Sequence, residues 1–217
     1  MNFETQKRIL SSLIVIPVVF YLIITGGNYF NVLIFICSIV SLYEWHKLSF
    51  KKKYYFIGII YLIICFYYTY FLRLNNDFLI FLFVTFICIF TDIGGYVFGK
   101  LFKGPKLTKI SPKKTFSGLF GGFFTPFIFF LLLNIIELPL LNQSDLLNNV
   151  RNSSFYYIII LFISAASQLG DILISYFKRL AKVKDTGKII PGHGGLLDRI
   201  DGMLLAFPVA FLIFKIL

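Results

Sequence analysis

The sequence predicts an all-α, polytopic membrane protein: a bundle of about seven transmembrane helices with its N-terminus in the cytoplasm. Three observations predict it. Of the 217 residues, 58% are hydrophobic and 19% aromatic while only 14% are charged, whereas a soluble domain is roughly half apolar and about a quarter charged. The apolar residues form continuous runs, not the alternating or helical periodicity of a half-buried surface. Finally, 18 of the 21 basic residues fall in segments that a seven-span count assigns to one side of the bilayer, the asymmetry expected of cytoplasmic loops.

About 20 apolar residues cross the ~30 Å hydrocarbon core. Seven runs approach that length, centred near Val15, Phe35, Ile63, Phe83, Phe129, Ile160 and Phe207, the second and last being short. The first, "KRILSSLIVIPVVFYLIITGGNYF", has the basic start of a signal peptide but no small-x-small cleavage site, so it is retained as a span. The inner segments then carry Lys7 and Arg8, Lys47 and Lys51 to Lys53, six lysines from Lys100 to Lys114, and Lys178, Arg179, Lys182, Lys184, Lys188 and Arg199. Only Arg73, Arg151 and Lys215 fall outside. A single membrane domain over 1–217 is expected, with N-terminal spans over about 1–75 and a catalytic core over about 76–217.

Cys37, Cys65 and Cys88 lie far apart within apolar runs, the pattern of small buried hydrophobes and not of a zinc site or disulfide. The net charge of +11 follows from the positive-inside bias and from anionic headgroups, so it calls for no nucleic-acid partner. The acidic residues are the informative ones, because a carboxylate at membrane depth is costly and marks a functional site by default.

Asp92, in "FTDIGGYVFGK", and Asp171, in "SQLGDILISYFKR", sit near the ends of the fourth and sixth spans that face the same compartment. Ser167, Asp171 and Ser175 recur at i, i+4, i+8 on one helical face, with Lys178 three residues further. Such a stripe either joins helices by buried hydrogen bonds or lines a site. Asp198 and Asp201, in "LLDRIDG", are neighbours at i, i+3 and open the seventh span. Adjacent carboxylates repel unless a cation lies near. They are read either as salt bridges to Arg199, Arg179 and the lysines, or as ligands of a hard divalent ion such as Mg²⁺, which shares its shell with water and phosphate oxygens.

Two loops complete the polar set. "KVKDTGKIIPGHGGLLDR" offers Gly192, Gly194 and Gly195 for close backbone approach and leads into a helix N-terminus that favours anions. His193 within it is either a general base or phosphate hydrogen-bond donor, or a brace for the loop. "ISPKKTFSG" mixes Ser111, Thr115 and Ser117 with Lys113 and Lys114, a composition that suits either anionic headgroups or a polyphosphate.

With these residues in place the chain resembles the phosphatidate cytidylyltransferases, also called CDP-diacylglycerol synthases. The C-terminal signature of that family stands intact from Ser175 to Asp201 as "SYFKRLAKVKDTGKIIPGHGGLLDRID". Further likeness lies in "SQLGD", in "TDIGGY", in "KLTKISPKKT" and in "LYEW" at Leu42 to Trp45. The chain departs at Gly95, where the family usually has Ala, and at Ser117, where it usually has Glu.

The resemblance implies an integral enzyme of the inner membrane, with its site on the cytoplasmic face, that joins CTP to phosphatidate and releases pyrophosphate. It implies Mg²⁺ on Asp171 and Asp198, with Asp92 and Asp201 as further candidates, and a second, monovalent cation such as K⁺. Asp171, Lys178, Asp198 and Asp201 are the catalytic candidates. Lys113, Lys114, Thr115, Ser167, Ser175, Arg179, Lys184, His193, Gly194, Gly195 and Arg199 are candidates for substrate binding. The family also implies a homodimer. Two other classes fit less well: a transferase of CDP-activated lipids would need a different continuation after Asp201, and a transporter would place its charges near the midplane, often in repeated halves.

Overall fold

The computed structural model describes residues 3–76, 78–108, 111, 114–136, 148, 150, 155–189 and 194–216, without the side chains of residues 3–10 and Ser12. Lys109, Lys113, Arg151 and His193 lie outside the described residues. Each of the seven apolar runs forms a helix: α1 (Phe3–Thr25), α2 (Gly27–Ser49), α3 (Tyr55–Asn75), α4 (Phe78–Phe102), α5 (Phe116–Ile136), α6 (Tyr156–Leu180) and α7 (Leu197–Ile216). Among the described residues no strand forms, and a lone bridge pairs Lys106 with Thr115.

Five helices, α2 to α6, are long and apolar enough to cross a membrane. In α1 the apolar stretch is the shorter Leu13–Thr25, and α7 begins with Asp198, Arg199 and Asp201. The second run, short by its apolar residues, becomes a 23-residue helix. Two of its serines return their hydrogen bonds to the helix itself, Ser38 Oγ to Phe35 O at 2.8 Å and Ser49 Oγ to Trp45 O at 2.7 Å, while Ser41 Oγ is buried without a hydrogen-bond partner. Large side chains such as Leu13, Phe35, Phe56 and Phe162 point outward and exposed, the arrangement a lipid solvent favours.

Successive helices run in opposite directions, so the charged ends of several gather at one end of the bundle. There Trp45 Nε1, near the end of α2, donates to Tyr55 O at the start of α3, 3.0 Å away. At the other end Arg73 of α3 donates through Nε and Nη2 to Ile23 O of α1, each at 3.2 Å. Packing falls into two apolar clusters. The one toward the opposite end holds Ile80, Phe83, Ile160 and a stack of Phe81 on Phe207, 4.6 Å between rings. The one beneath the charged end holds Trp45, Leu62, Ile174, Leu197 and Leu204.

Helices α4 and α5 approach closely along glycines. A Cβ at Gly94 would come within 2.2 Å of Gly121 O, and one at Gly118 within 2.7 Å of Gly95 O. Small residues permit this contact in a membrane, where tight packing and interhelical hydrogen bonds drive association. A buried relay ties α6 to the pair: Thr91 Oγ1 donates to Ser164 Oγ at 2.9 Å, which donates to Gly122 O at 3.0 Å. This rigid three-helix wedge carries Asp92 and Asp171 to the same level.

Candidate active site

At the charged end, a chamber of about 350 Å³ opens between α4, α5, α6 and α7. Asp92, Asp171, Asp198 and Asp201 line it together with Lys114, Thr115 and Ser175. Asp171 stands on α6 and receives two contacts: Lys114 Nζ lies 2.7 Å from its Oδ2 and Ser175 Oγ donates to its Oδ1 at 3.3 Å. The i, i+4 spacing read in the sequence therefore makes the Asp171–Ser175 pair.

Lys114 reaches Asp171 because the α4–α5 loop folds back on itself. Leu107 N donates to Lys114 O at 2.8 Å and Phe116 N to Pro105 O at 3.1 Å. Thr115 then caps α5, its Oγ1 accepting from Gly118 N at 3.1 Å, which satisfies one of the orphan amides of the first turn.

Asp198 opens α7 and is the most heavily engaged of the four aspartates that line the chamber. Its Oδ1 pairs with Lys178 Nζ at 2.7 Å. Its Oδ2 accepts from Thr186 N at 2.8 Å, from Gly195 N at 3.2 Å, and lies 3.0 Å from Thr186 Oγ1. Lys178 is only 8% exposed and also faces Asp201 Oδ2 at 4.0 Å. One buried ammonium thus serves two carboxylates, and the pair remains favourable because both partners keep further polar contacts.

Glu44 is a site residue that the candidate set omits. Within "LYEW" on α2 it is 1% exposed and accepts from Leu196 N at 2.9 Å, Leu197 N at 2.8 Å and Thr186 Oγ1 at 3.0 Å. It caps the N-terminus of α7 from another helix, placing negative charge at the positive end of the dipole. Two signals stood in the sequence: an acid inside an apolar run, the type of residue a membrane does not tolerate unpaired, and its place in the family-like "LYEW". The glycines of the loop answer to Glu44: a Cβ at Gly195 would lie 2.1 Å from Thr186 Oγ1, and one at Gly187 2.7 Å from Glu44 Oε1. Gly194 takes φ +92°, a backbone region that L side chains rarely enter.

Other sequence candidates stand elsewhere. Ser167 is fully buried at the α6–α7 contact, where Gly202 leaves room for its Oγ. Arg179 is exposed and donates to Val183 O at 3.0 Å, and Lys184 is exposed on the following loop. Arg199, about 100° around α7 from Asp198, borders a separate apolar cavity, while its charge acts on Asp92 in the chamber. Lys113 and His193 are outside the described residues.

Among the described residues no three His, Cys, Asp or Glu side chains gather closely enough to hold a metal ion by themselves. The donor set instead fits a hard cation held by one or two carboxylates and completed by water and phosphate oxygens, the usual mode of Mg²⁺. Asp92, Asp171 and Asp201 repel one another across the chamber, and their oxygens are far less engaged by protein donors than those of Asp198. Carboxylates so placed attract a cation, while Lys114 and Lys178 supply positive charge beside them for an anionic substrate.

The pattern of the cytidylyltransferase family matches residues 6–75 and 51–217 of this chain. The phosphatidate cytidylyltransferase of Rickettsia bellii is 36% identical over 212 residues, covering 95% of this chain and 89% of its own length. That of Rickettsia felis is 34% identical over 212 residues, covering 95% and 90%. The enzyme of Staphylococcus epidermidis is 37% identical over 146 residues, 65% of this chain and 52% of its own.

Proposed function

The chain belongs to the cytidylyltransferase family, and from that premise we propose that it transfers the cytidylyl group of CTP to phosphatidate, giving CDP-diacylglycerol and pyrophosphate for phospholipid synthesis. The observation that carries this reading is the chamber itself. Two aspartate–lysine pairs, Asp171 with Lys114 and Asp198 with Lys178, stand at one end of an apolar bundle, where a lipid headgroup and a water-borne nucleotide can meet.

In this reaction a phosphate oxygen of phosphatidate bonds to the α-phosphorus of CTP, while the bond from that phosphorus to the bridging oxygen breaks and pyrophosphate leaves. The protein's part is positioning and charge neutralisation. Lys114 and Lys178 hold phosphate oxygens, and Ser175 keeps Asp171 oriented by its 3.3 Å hydrogen bond. Thr186 and Gly195 fix Asp198 so that Lys178 stays within reach of the chamber. Family likeness supports Asp171 and Asp198 as holders of Mg²⁺; because Lys178, Thr186 and Gly195 occupy the oxygens of Asp198, Asp171, with Asp92 and Asp201 beside it, would be the carboxylate most open to the ion, which would neutralise charge on the phosphates.

The distribution of basic residues supports a chamber facing the cytoplasm, and family likeness supports a homodimer. Following labelled CTP into the lipid phase, with detergent-solubilised protein and phosphatidate, tests the reading. Label in lipid with release of pyrophosphate is expected in the presence of Mg²⁺. Folded protein that transfers no label with any divalent ion would overturn it.

A further inference from the structure

The first amides of a helix have no partner within it and carry the positive end of its dipole, so the N-terminus of α7 is built to hold an anion. Substrate phosphate is one group that such amides can take. Here the protein supplies the anion itself. Leu196 N and Leu197 N donate to the two oxygens of Glu44, at 2.9 Å and 2.8 Å, and Gly195 N donates to Asp198 Oδ2 at 3.2 Å. Arg199 N and Ile200 N donate to Leu196 O.

The loop before α7 is shaped around the Glu44 carboxylate. A Cβ at Gly187 would lie 2.7 Å from Glu44 Oε1, and one at Gly195 would lie 2.6 Å from Glu44 Oε2. Glu44 is 1% exposed and Thr186 5%, and neither is among the described residues that line the chamber. A phosphate could reach the Leu196 and Leu197 amides only by displacing Glu44 from a buried place.

The same contacts lead on to the chamber. With its hydroxyl given to Glu44 at 3.0 Å and its backbone amide to Asp198 at 2.8 Å, Thr186 joins both carboxylates at once. Asp198 Oδ1 holds Lys178 Nζ at 2.7 Å, in the last turn of α6. That ammonium lies 4.0 Å from Asp201, which lines the chamber. A path of hydrogen bonds thus runs from α2 to the cation at the edge of the site.

We propose that Glu44 is a positioning residue for the transfer: it fills the anion site at the N-terminus of α7 in place of substrate phosphate and, through Thr186 and Asp198, sets where Lys178 stands. The proposal rests on the proposed cytidylyl transfer. It adds that the glycine loop serves a carboxylate of α2, so the phosphates of CTP and of the lipid are held by side chains of the chamber and not by the α7 amides.

Two measurements test it. The first is amide hydrogen exchange over residues 194–199, followed by mass spectrometry on the full chain in detergent, with and without pyrophosphate in the presence of Mg²⁺. Glu44→Gln should speed exchange there about tenfold, by leaving one of two buried amides without an acceptor, while pyrophosphate leaves the wild-type rate unchanged. Wild-type amides that slow when pyrophosphate is added, or a Glu44→Gln protein that exchanges as slowly as wild type, would overturn the proposal. This readout needs no turnover, so failure of the proposal and failure of the proposed reaction are told apart.

The second is a kinetic cycle of Glu44→Gln, Thr186→Val and the double variant, assayed well below their unfolding midpoints as read from Trp45 emission. Valine keeps the shape of threonine, and without the hydroxyl Glu44 retains two amide donors and Asp198 retains Lys178 and two amides, so the fold should stand. Each single variant should lower kcat about tenfold, the effect of losing one hydrogen bond to a charged group, with KM for CTP unchanged. The double variant should be no slower than either alone, because both changes break one path, and Thr186→Ser, which restores the hydroxyl, should regain most of the loss. Multiplied losses in the double variant, full kcat in Thr186→Val, or a lower KM for CTP in Glu44→Gln would each count against a positioning role.

Discussion

Glu44 and Thr186 meet at 3.0 Å across 142 positions of sequence, and Thr186 Oγ1 lies equally close to Asp198. The hydroxyl has one hydrogen to give, so it donates to one carboxylate at a time, while the Thr186 backbone amide holds Asp198 at 2.8 Å and the Leu196 and Leu197 amides hold Glu44. Through this contact the second helix sets the position of the first turn of the seventh.

Glu44→Gln puts an amide donor where backbone amides of α7 or Thr186 need an acceptor. The unmatched donor should cost about 1–3 kcal/mol of stability. Trp45, the protein's single tryptophan, is buried beside Glu44 and 5.0 Å from the Phe177 ring, so its fluorescence during thermal unfolding reports on this region directly. Unchanged emission and unchanged midpoint would show that Glu44 does not hold the loop.

Gly195→Ala should disable the site, because its Cβ would lie 2.1 Å from Thr186 Oγ1 and 2.6 Å from Glu44 Oε2. Gly95→Ala meets only Gly118 O at 3.6 Å, an ordinary contact, and should alter stability by less than about 0.5 kcal/mol. Parallel assays of label transfer settle the contrast; equal activity in both variants would refute the assigned crowding at Gly195.

Lys178→Met leaves Asp198 buried without its 2.7 Å partner, and removing one member of a buried pair costs about 3–5 kcal/mol. Adding Asp198→Asn should restore much of the stability without restoring turnover. A double variant as unstable as the single one would mean that Lys178 acts through packing, not charge.

Asp171→Asn should abolish transfer while costing only about 1 kcal/mol of stability, since its pair with Lys114 is partly exposed. The exposed Arg179→Ala and Lys184→Ala should each change kcat/KM less than about threefold, a free-energy change within the range of surface substitutions. Mg²⁺ titration of wild type and Asp171→Asn provides the check: an identical dependence with retained activity would remove Asp171 from the ion's surroundings.

The sequence by itself determined the class, the helices and several of the residues that the fold gathers around the polar chamber. Continuous apolar runs could be nothing but helices in lipid, since only there are all backbone groups satisfied within the segment. Asp171, Ser175 and Lys178 share one helical face by spacing alone, and the signature from Ser175 to Asp201 identified the family that the comparisons then showed. The tertiary structure decided what periodicity has no means to express. Glu44 enters the site from a helix more than a hundred residues away, Lys114 reaches Asp171 through a loop that folds back, and Arg199 of α7 brings its charge to Asp92 on α4. Each depends on contacts between segments distant in sequence, and these are fixed only when glycine-lined helices close on one another and buried charges must find partners.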